Sequence, residues 1–216
     1  MSGERLALAV LISGRGSNMA AIARACAAGQ IPARIVRVIA DRAGAAGIAL
    51  AGELGLEVSV LPADGFRDRA DFEAALRSLI DSSGARLVVL AGFMRILSPQ
   101  FTAQYAGAML NIHPSLLPRY PGLHTHARVL EAGDREHGAT VHFVTSELDA
   151  GPILLQARVP VLAGDSVASL SARVQEQEHI IYPRVIGWIA AGRLRWAGEA
   201  LLLDGRPLPA AAHEEP

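Results

Sequence analysis

The chain has little cysteine and almost no net charge, and both shortages exclude classes of protein. Among its 216 residues Cys26 is the single cysteine, so no internal disulfide can form. Lys and Arg number 20 against 21 Asp and Glu, a formal net charge of −1. Because no long basic run occurs either, an extended grip on nucleic-acid phosphates is not expected. We therefore predict no nucleic-acid partner.

Long hydrophobic runs are also missing. Each apolar stretch is interrupted by Gly, Arg or Asp before the roughly 20 residues that a bilayer requires, and no signal-peptide pattern follows Met-Ser-Gly-Glu-Arg. Hydrophobic residues nevertheless make up 51% of the chain and charged residues 19%, which suits a sizeable core and argues against disorder. The sequence predicts a cytoplasmic globular protein without membrane contact.

Several common catalytic motifs are absent. There is no Gly-x-Ser-x-Gly elbow, no Gly-Lys-Ser/Thr phosphate loop, no His-Glu-x-x-His and no Cys pair. His124 and His126 stand two residues apart, but a metal site needs three or four ligands. We expect no metal site, and take both as loop histidines that bond to backbone.

The first half of the chain alternates between strand-like and helix-like segments. Continuous apolar runs are typical of strands covered on both faces, and Ser98 followed by Pro99 is a good helix start. Such alternation predicts an α/β protein with a parallel, doubly wound sheet. The predicted strands are 6–13, 35–40, 57–61, 87–90 and 109–112, and the predicted helices are 18–28, 45–54 and 69–82.

The second half has a different pattern. Two strands, 140–144 and 153–159, are separated by a turn-rich segment, which favours antiparallel pairing. Asp165-Ser166 opens a long helix that runs to about Ala191, and residues 194–203 suit a small hairpin or edge strand. The Pro/Ala-rich tail, 207–216, is predicted to fray.

A glycine loop, Ser13-Gly-Arg-Gly-Ser-Asn18, joins the first strand to the first helix. Backbone N–H groups at a helix N-terminus, with glycines admitting close approach, make an anion site. The loop is also half of a dinucleotide fingerprint, with Met19 in place of the third glycine and Asp41 where a ribose-binding carboxylate stands. A single phosphate is favoured; a dinucleotide and a plain tight turn stay open.

Asn111 and His113 lie two residues apart at the exit of a predicted strand, so their side chains share one face. Open α/β sheets bind ligands at this end of their strands. Together with Asp149 downstream, an amide and an imidazole can hold an oxyanion and move a proton. The alternative is a structural histidine and a turn aspartate. The chemical hypothesis requires Asp149 within reach of His113, directly or through one water.

Six motifs now follow in order: Leu-Ile-Ser-Gly-x-Gly-Ser-Asn at 11–18, Leu-Ala-Gly-Phe-Met-Arg-Ile-Leu at 90–97, Leu-Asn-Ile-His-Pro-Ser-Leu-Leu-Pro at 110–118, Pro-Gly-Leu-His-Thr-His at 121–126, His-Gly-Ala-Thr-Val-His-Phe-Val at 137–144 and Leu-Asp-Ala-Gly-Pro at 148–152. Together they closely resemble the phosphoribosylglycinamide formyltransferase family, folate-dependent enzymes of purine synthesis. The resemblance runs from about Leu6 to Trp196. It implies formyl transfer from 10-formyltetrahydrofolate, as cosubstrate, to the amine of glycinamide ribonucleotide.

The resemblance also implies a role for particular residues. The catalytic trio is Asn111, His113 and Asp149, acting without a covalent intermediate because the substrate amine is itself the nucleophile. The ribonucleotide is held at its phosphate by Gly16, Ser17 and Asn18, and at its ribose by Gln175 and Glu178. The folate contacts are Arg69, Met94, Arg95, Ile96, Leu97 and Asn111.

The implied architecture is a Rossmann-like, mostly parallel sheet with antiparallel C-terminal strands and a long C-terminal helix, the formyltransferase fold. A single domain would span 1–206, with a phosphate-binding half to about 108 and a folate and catalytic half from 109. The expected state is a monomer or a homodimer, and the sequence leaves open which.

Other hypotheses remain open. Two relatives share the trio: methionyl-tRNA formyltransferase, which carries an RNA-binding domain that we do not expect here, and formyltetrahydrofolate deformylase, which usually shows His-His where this chain has His113-Pro114. Rivals outside the family are an NAD-dependent oxidoreductase and a non-enzymatic binder of phosphorylated sugars.

Overall fold

Strands and helices alternate along the first 110 residues, as predicted. In this computed structural model, which describes residues 4–197, 200–208 and 213–214, the chain divides into two units, one ending at Leu110 and the other beginning at Asn111. The first unit contains β1 (Leu6–Ile12), α1 (Ser17–Ala27), β2 (Ala33–Ala40), α2 (Gly47–Glu53), β3 (Val58–Val60), a 3₁₀ turn (Ala63–Gly65), α3 (Arg69–Ser82), β4 (Leu87–Leu90), α4 (Pro99–Gln104) and the start of β5 (Met109–His113).

The strands of the first unit form a parallel arrangement in the order β4-β1-β2-β3. All seven residues of β1 are apolar and buried, as expected of a strand covered on both faces. Helix starts follow the sequence: Ser98 accepts a hydrogen bond from the backbone N–H of Phe101, and Pro99 is the first residue of α4. The predicted parallel α/β arrangement is confirmed.

The second unit contains the rest of β5 and a set of mainly antiparallel strands. Its elements are α5 (Thr125–Ala132), β6 (Glu136–Phe143), β7 (Ile153–Pro160), α6 (Val167–Ala190), β8 (Leu194–Ala197), β9 (Ala200–Leu203), β10 (Arg206–Pro207) and β11 (His213–Glu214). The order is β5-β6-β7-β11, with β6 antiparallel to β7. Strands β8, β9 and β10 form a separate antiparallel sheet.

The long helix α6 begins where predicted. Ser166 and Ser169 form a capping box, each side chain accepting the other's backbone N–H. Leu170, Val174 and Ile181 are buried, and the helix packs against β6 and β7. Within the described ranges, no helix is long and apolar enough to cross a bilayer.

Three details of the second half differ from expectation. Strand β6 begins at Glu136, four residues before the predicted start, and α5 was not predicted. The predicted frayed tail, 207–216, lies partly outside the described residues. Where it is described, Pro207 belongs to β10, and β11 pairs with β7.

Candidate active site

The structure brings Asn111, His113 and Asp149 together in the second unit. Strand β5 carries the first two, with His113 only 5% exposed. Asp149 lies between β6 and β7, and its Oδ2 is 3.4 Å from Nδ1 of His113, at ion-pair distance. His142 lies between Asn111 and Asp149. Its Nε2 is 3.2 Å from Asn111 Nδ2 and 3.9 Å from Asp149 Oδ1.

The other nitrogen of His113 is fixed by backbone. Nε2 lies 2.9 Å from the carbonyl oxygen of Tyr120, and because a carbonyl only accepts, Nε2 carries a proton and donates it. Nδ1 faces the Asp149 carboxylate, a second acceptor. The tautomer that satisfies the Tyr120 carbonyl therefore leaves Nδ1 on the side of the Asp149 carboxylate.

Asp149 is held by a backbone donor. The N–H of Gly122 donates to its Oδ2 at 2.8 Å, and the side chain is 7% exposed. The backbone of Asp149 is left-handed, with φ of 53°, as is that of Gly122, with φ of 77°. The Asp149 carboxylate is thus largely shielded from solvent, is held by the Gly122 N–H, and lies close to both His113 and His142.

Ser115 contacts the backbone of the loop that follows β5. It is completely buried, and its hydroxyl donates its one proton to the carbonyl oxygen of Arg119, at 2.6 Å, with the carbonyl oxygen of Tyr120 also near, at 3.2 Å. The hydroxyl is thus engaged in shaping the loop whose Tyr120 carbonyl binds His113.

Of the two histidines expected in a loop, His124 lies in one and His126 does not. His124 precedes α5 with φ of 59°, and His126 lies inside that helix. Nδ1 of His126 is 3.0 Å from Nε2 of His137, a buried residue of β6. Burial, and then the nearby His126, lower the pKa of His137 to about 4. In the described part of the chain, no cluster of three or more His, Cys, Asp or Glu side chains could hold a metal ion.

The glycine loop of the first unit ends in a left-handed Gly16, with φ of 73°, directly before α1. Gly47, which the sequence reasoning missed, explains the tight turn. Its N–H donates to the Gly14 carbonyl at 2.9 Å, and a Cβ on Gly16 would lie 3.0 Å from the Gly47 Cα. Ser17 and Asn18 are the first residues of α1, where backbone N–H groups can bind an anion.

The segment 92–97 is attached to the end of β1. Ser13 donates its N–H to the Gly92 carbonyl at 3.2 Å, and its Oγ accepts the N–H of Met94 at 2.8 Å. Met94 and Ile96 are more than half exposed, whereas Leu97 is buried. The Met94 and Ile96 side chains are thus exposed to solvent on a segment whose backbone is hydrogen-bonded to Ser13.

Asp41 and Arg95 form an ion pair in the first unit. The Arg95 Nε donates to Asp41 Oδ2 at 2.8 Å, and its guanidinium lies 5.3 Å from the Phe72 ring centroid. Because Asp41 is 2% exposed and one of its oxygens is bound to Arg95, it is poorly placed to accept ribose hydroxyls. This weakens the dinucleotide interpretation.

The remaining predicted residues lie on helices. Arg69, at the start of α3, borders a cavity of about 390 Å³ between α3 and α4. Gln175 is half-buried and Glu178 buried, and their spacing of three places them on one face of α6.

A mostly parallel sheet with helices, antiparallel C-terminal strands and a long C-terminal helix is the fold of the formyltransferases. The chain belongs to that family: the family profile described as "Formyl transferase" matches residues 6–186. This confirms the resemblance and the fold, and identifies the chain as a formyltransferase.

The similarity to individual proteins is more specific than the match to the family profile. The chain is 54% identical over 202 residues to phosphoribosylglycinamide formyltransferase of Escherichia coli strain K12, covering 94% of this chain and 95% of that protein. The solved phosphoribosylglycinamide formyltransferase of Coxiella burnetii, in complex with CHES, superposes with a TM-score of 0.92 at 46% identity, covering 97% and 99% of the two chains. The human trifunctional purine biosynthetic protein adenosine-3 is 41% identical over 192 residues, covering 89% of this chain and 19% of that protein.

Proposed function

We propose that the protein transfers the formyl group of 10-formyltetrahydrofolate to the primary amine of glycinamide ribonucleotide. The products are N-formylglycinamide ribonucleotide and tetrahydrofolate, in purine synthesis. The observation that carries the proposal is the contact between His113 and Asp149, whose Nδ1 and Oδ2 atoms are 3.4 Å apart. Asn111 lies two residues before His113 on the same strand, β5. These groups suit an acyl transfer in which the substrate supplies the nucleophile.

The reaction begins when the amine attacks the formyl carbon. A carbon–nitrogen bond forms, and the carbonyl electron pair moves to oxygen, giving a tetrahedral oxyanion. Asn111 donates an amide N–H to that oxygen, and the His113 imidazolium adds a charge-assisted hydrogen bond. Because Nε2 is occupied by the Tyr120 carbonyl, the donating nitrogen is Nδ1, whose contact with Asp149 is long at 3.4 Å.

Collapse of the intermediate requires a proton transfer. Asp149 accepts the proton that the attacking amine releases, directly or through a water. A proton then reaches N10 of the folate as its bond to the formyl carbon breaks. The enzyme forms no covalent bond at any stage, consistent with the engaged hydroxyl of Ser115.

The remaining residues are assigned to the two substrates. For the ribonucleotide, Gly16, Ser17 and Asn18 hold the phosphate, and Gln175 and Glu178 hold the ribose. For the folate, the exposed apolar groups of 94–97 grip the pterin, whose polar edge meets the backbone there. The folate-binding residues are Arg69, Met94, Arg95, Ile96, Leu97 and Asn111. Arg69 faces the glutamate carboxylates of the cosubstrate.

We propose further that the protein acts in the cytoplasm as a monomer or a homodimer, on small molecules rather than on nucleic acid. The net charge of −1 supports the last point.

Absorbance monitoring of a 10-formylfolate in the presence of glycinamide ribonucleotide tests the function. We expect donor consumption that depends on both substrates and yields the formylated ribonucleotide. No transfer by the purified protein, together with tight NAD binding, would contradict the proposal and favour the oxidoreductase alternative.

A further inference from the structure

His142 is a buried polar residue that the proposed mechanism does not use. It lies on β6, 2% exposed, with both ring nitrogens in contact with polar atoms. We propose that His142 is a positioning residue: it fixes the orientation of the Asn111 amide so that one N–H is left to face the formyl oxygen. The inference rests on the proposed function, since it assigns a partner to a residue of that site.

The first contact determines which ring nitrogen carries the proton. Nδ1 of His142 lies 2.9 Å from the carbonyl oxygen of Phe143, and because a carbonyl only accepts, Nδ1 is the donor. Burial lowers the pKa of His142, so the ring is neutral at physiological pH. A neutral ring with its proton on Nδ1 presents a lone pair at Nε2.

The second contact uses that lone pair. Nε2 is 3.2 Å from Nδ2 of Asn111, so the asparagine donates and the histidine accepts. With the amide turned over, Oδ1 would meet the Nε2 lone pair, two acceptors without a proton between them. His142 therefore selects one of two amide orientations of nearly equal shape.

The orientation decides whether Asn111 can act on an oxyanion. In the selected orientation the second N–H of Nδ2 remains available to a ligand. In the reversed orientation an amide oxygen would stand where negative charge develops, which would repel the transition state. A misdirected amide would thus lower kcat more than it weakens binding. The oxyanion that Asn111 stabilises exists only in the transition state, whereas Asn111 is one of six proposed folate contacts.

The backbone holds His142 in this position. The register of β6 against β7 shifts between Val141 and His142, a local irregularity of the kind that redirects side chains near active sites. The Phe143 N–H donates to the Pro152 carbonyl at 3.0 Å. At Gly151 an added Cβ would lie 1.8 Å from the Phe143 oxygen, so only glycine admits this approach. The segment after Asp149 therefore fixes the carbonyl that sets the tautomer of His142.

Two substitutions of His142 separate positioning from mere burial. In His142→Gln the amide oxygen takes the place of Nε2, whereas His142→Asn supplies a polar group only near Nδ1. We expect His142→Asn to lower kcat about 10- to 100-fold with KM for both substrates within about threefold, and His142→Gln to stay within about fivefold of wild-type kcat. His137→Asn, which removes another buried histidine of β6, is the matched control and should keep kcat within about threefold.

A double substitution tests the route through Asn111. In an Asn111→Ala background the amide is gone, so adding His142→Asn should change kcat by less than about twofold. Equal losses in His142→Asn and His142→Gln, or multiplied losses in the double variant, would overturn the inference. An inactive wild type would instead contradict the proposed function.

The wild-type protein gives a readout that does not depend on variant folding. Nitrogen-15 NMR of the histidine rings at pH 7.5 should show His142 neutral, with its proton on Nδ1. A proton on Nε2 under these conditions would overturn the inference, because Nε2 could no longer accept from Asn111.

Discussion

At the scale of single residues, the site depends on left-handed backbone conformations, which residues other than glycine seldom adopt. Tyr120, His124 and Asp149 all have positive φ, between 53° and 59°. Such conformations cost free energy and persist where surrounding contacts enforce them. Here they have identifiable effects: Tyr120 presents its carbonyl to His113, and Asp149 presents its carboxylate to His113 and to the N–H of Gly122.

Asp149→Asn tests the carboxylate. The amide keeps the shape but cannot take up a proton, so we expect kcat to fall by about two to four orders of magnitude, while the melting temperature stays close to that of wild type. Steady-state kinetics and thermal unfolding measure the two quantities. Glu147→Gln, an exposed acid two residues earlier, is the control and should leave kcat unchanged. Near-normal turnover in Asp149→Asn would remove this residue from the mechanism.

Gly151→Ala tests the close approach of two backbone segments. The new Cβ would overlap the Phe143 carbonyl oxygen, so we expect a loss of about 1–3 kcal/mol in the free energy of unfolding. Gly52 lies in α2, and a Cβ added there would have no atom within 4 Å. Gly52→Ala should therefore raise the free energy of unfolding by about 0.5–1 kcal/mol. Urea unfolding compares the variants. Equal stabilities would show that the segment after Asp149 can move away.

At the scale of secondary-structure elements, α3 and α4 are joined by a buried carboxylate. Glu73 of α3 accepts the Ser98 N–H at 2.6 Å and the Ser98 hydroxyl at 2.5 Å, while the same hydroxyl oxygen caps α4 at Phe101. One serine therefore satisfies a helix end and a buried charge together. The segment 92–97, which carries the proposed folate contacts, leads directly into this cap.

Ser98→Ala should therefore lower the free energy of unfolding by more than the loss of an ordinary helix N-cap does. We expect the free energy of unfolding to fall by at least about 2 kcal/mol, because Glu73 loses its hydroxyl donor as well. Ser82→Ala removes an exposed hydroxyl at the end of α3 and should change it by less than about 0.5 kcal/mol. Similar effects in both variants, measured by urea unfolding, would contradict the joint role of Ser98.

Local patterns predicted these elements to different degrees. Helix α3 was predicted at its observed bounds because its amphipathic pattern is continuous, and the Ser98-Pro99 start is a local signal. Helix α5 was missed because it starts after a left-handed His124 with no side-chain cap. Strand β6 was predicted to start late because Glu-His-Gly conceals its alternation, although His137 is buried and Gly138 lies against the Ala157 carbonyl.

The contacts of the site also differ in how far the sequence could predict them. Asn111 and His113 could be paired from the sequence because both stand on one strand. The contact of His142 with Asn111 could not, because it depends on how separate strands align, and a slip of one residue reverses every side chain. Gly47 was missed for a similar reason: its contact with the glycine loop joins two helix starts that are distant in sequence.

At the scale of the whole molecule, buried neutral histidines couple stability to pH. His137 and His142 are almost fully buried, and burial lowers the pKa of both below the usual 6.5. The unfolded chain takes up these protons near pH 6.5, whereas folded His137 does so only near pH 4. Between these values the unfolded state binds more protons, so acid favours unfolding.

The free energy of unfolding should accordingly decrease as pH falls from 7.5 to 4.5. Urea titrations at several pH values measure this dependence. His137→Gln removes one of the histidines whose pKa burial lowers, and the pH dependence of its stability should be shallower between pH 6.5 and pH 4.5 than that of wild type. A wild-type stability that is constant or rises over this range would contradict the assignment of neutral buried histidines.

The central claim is that the substrate amine attacks the formyl carbon directly, within a site that has no enzyme nucleophile. The most direct test is a single-turnover, rapid-quench experiment with a donor labelled in its formyl group and an excess of wild-type protein. The account predicts that the label leaves the folate and appears on glycinamide ribonucleotide at the same rate, with none on the protein. Label bound to the protein during the turnover, or no label reaching the ribonucleotide, would contradict it.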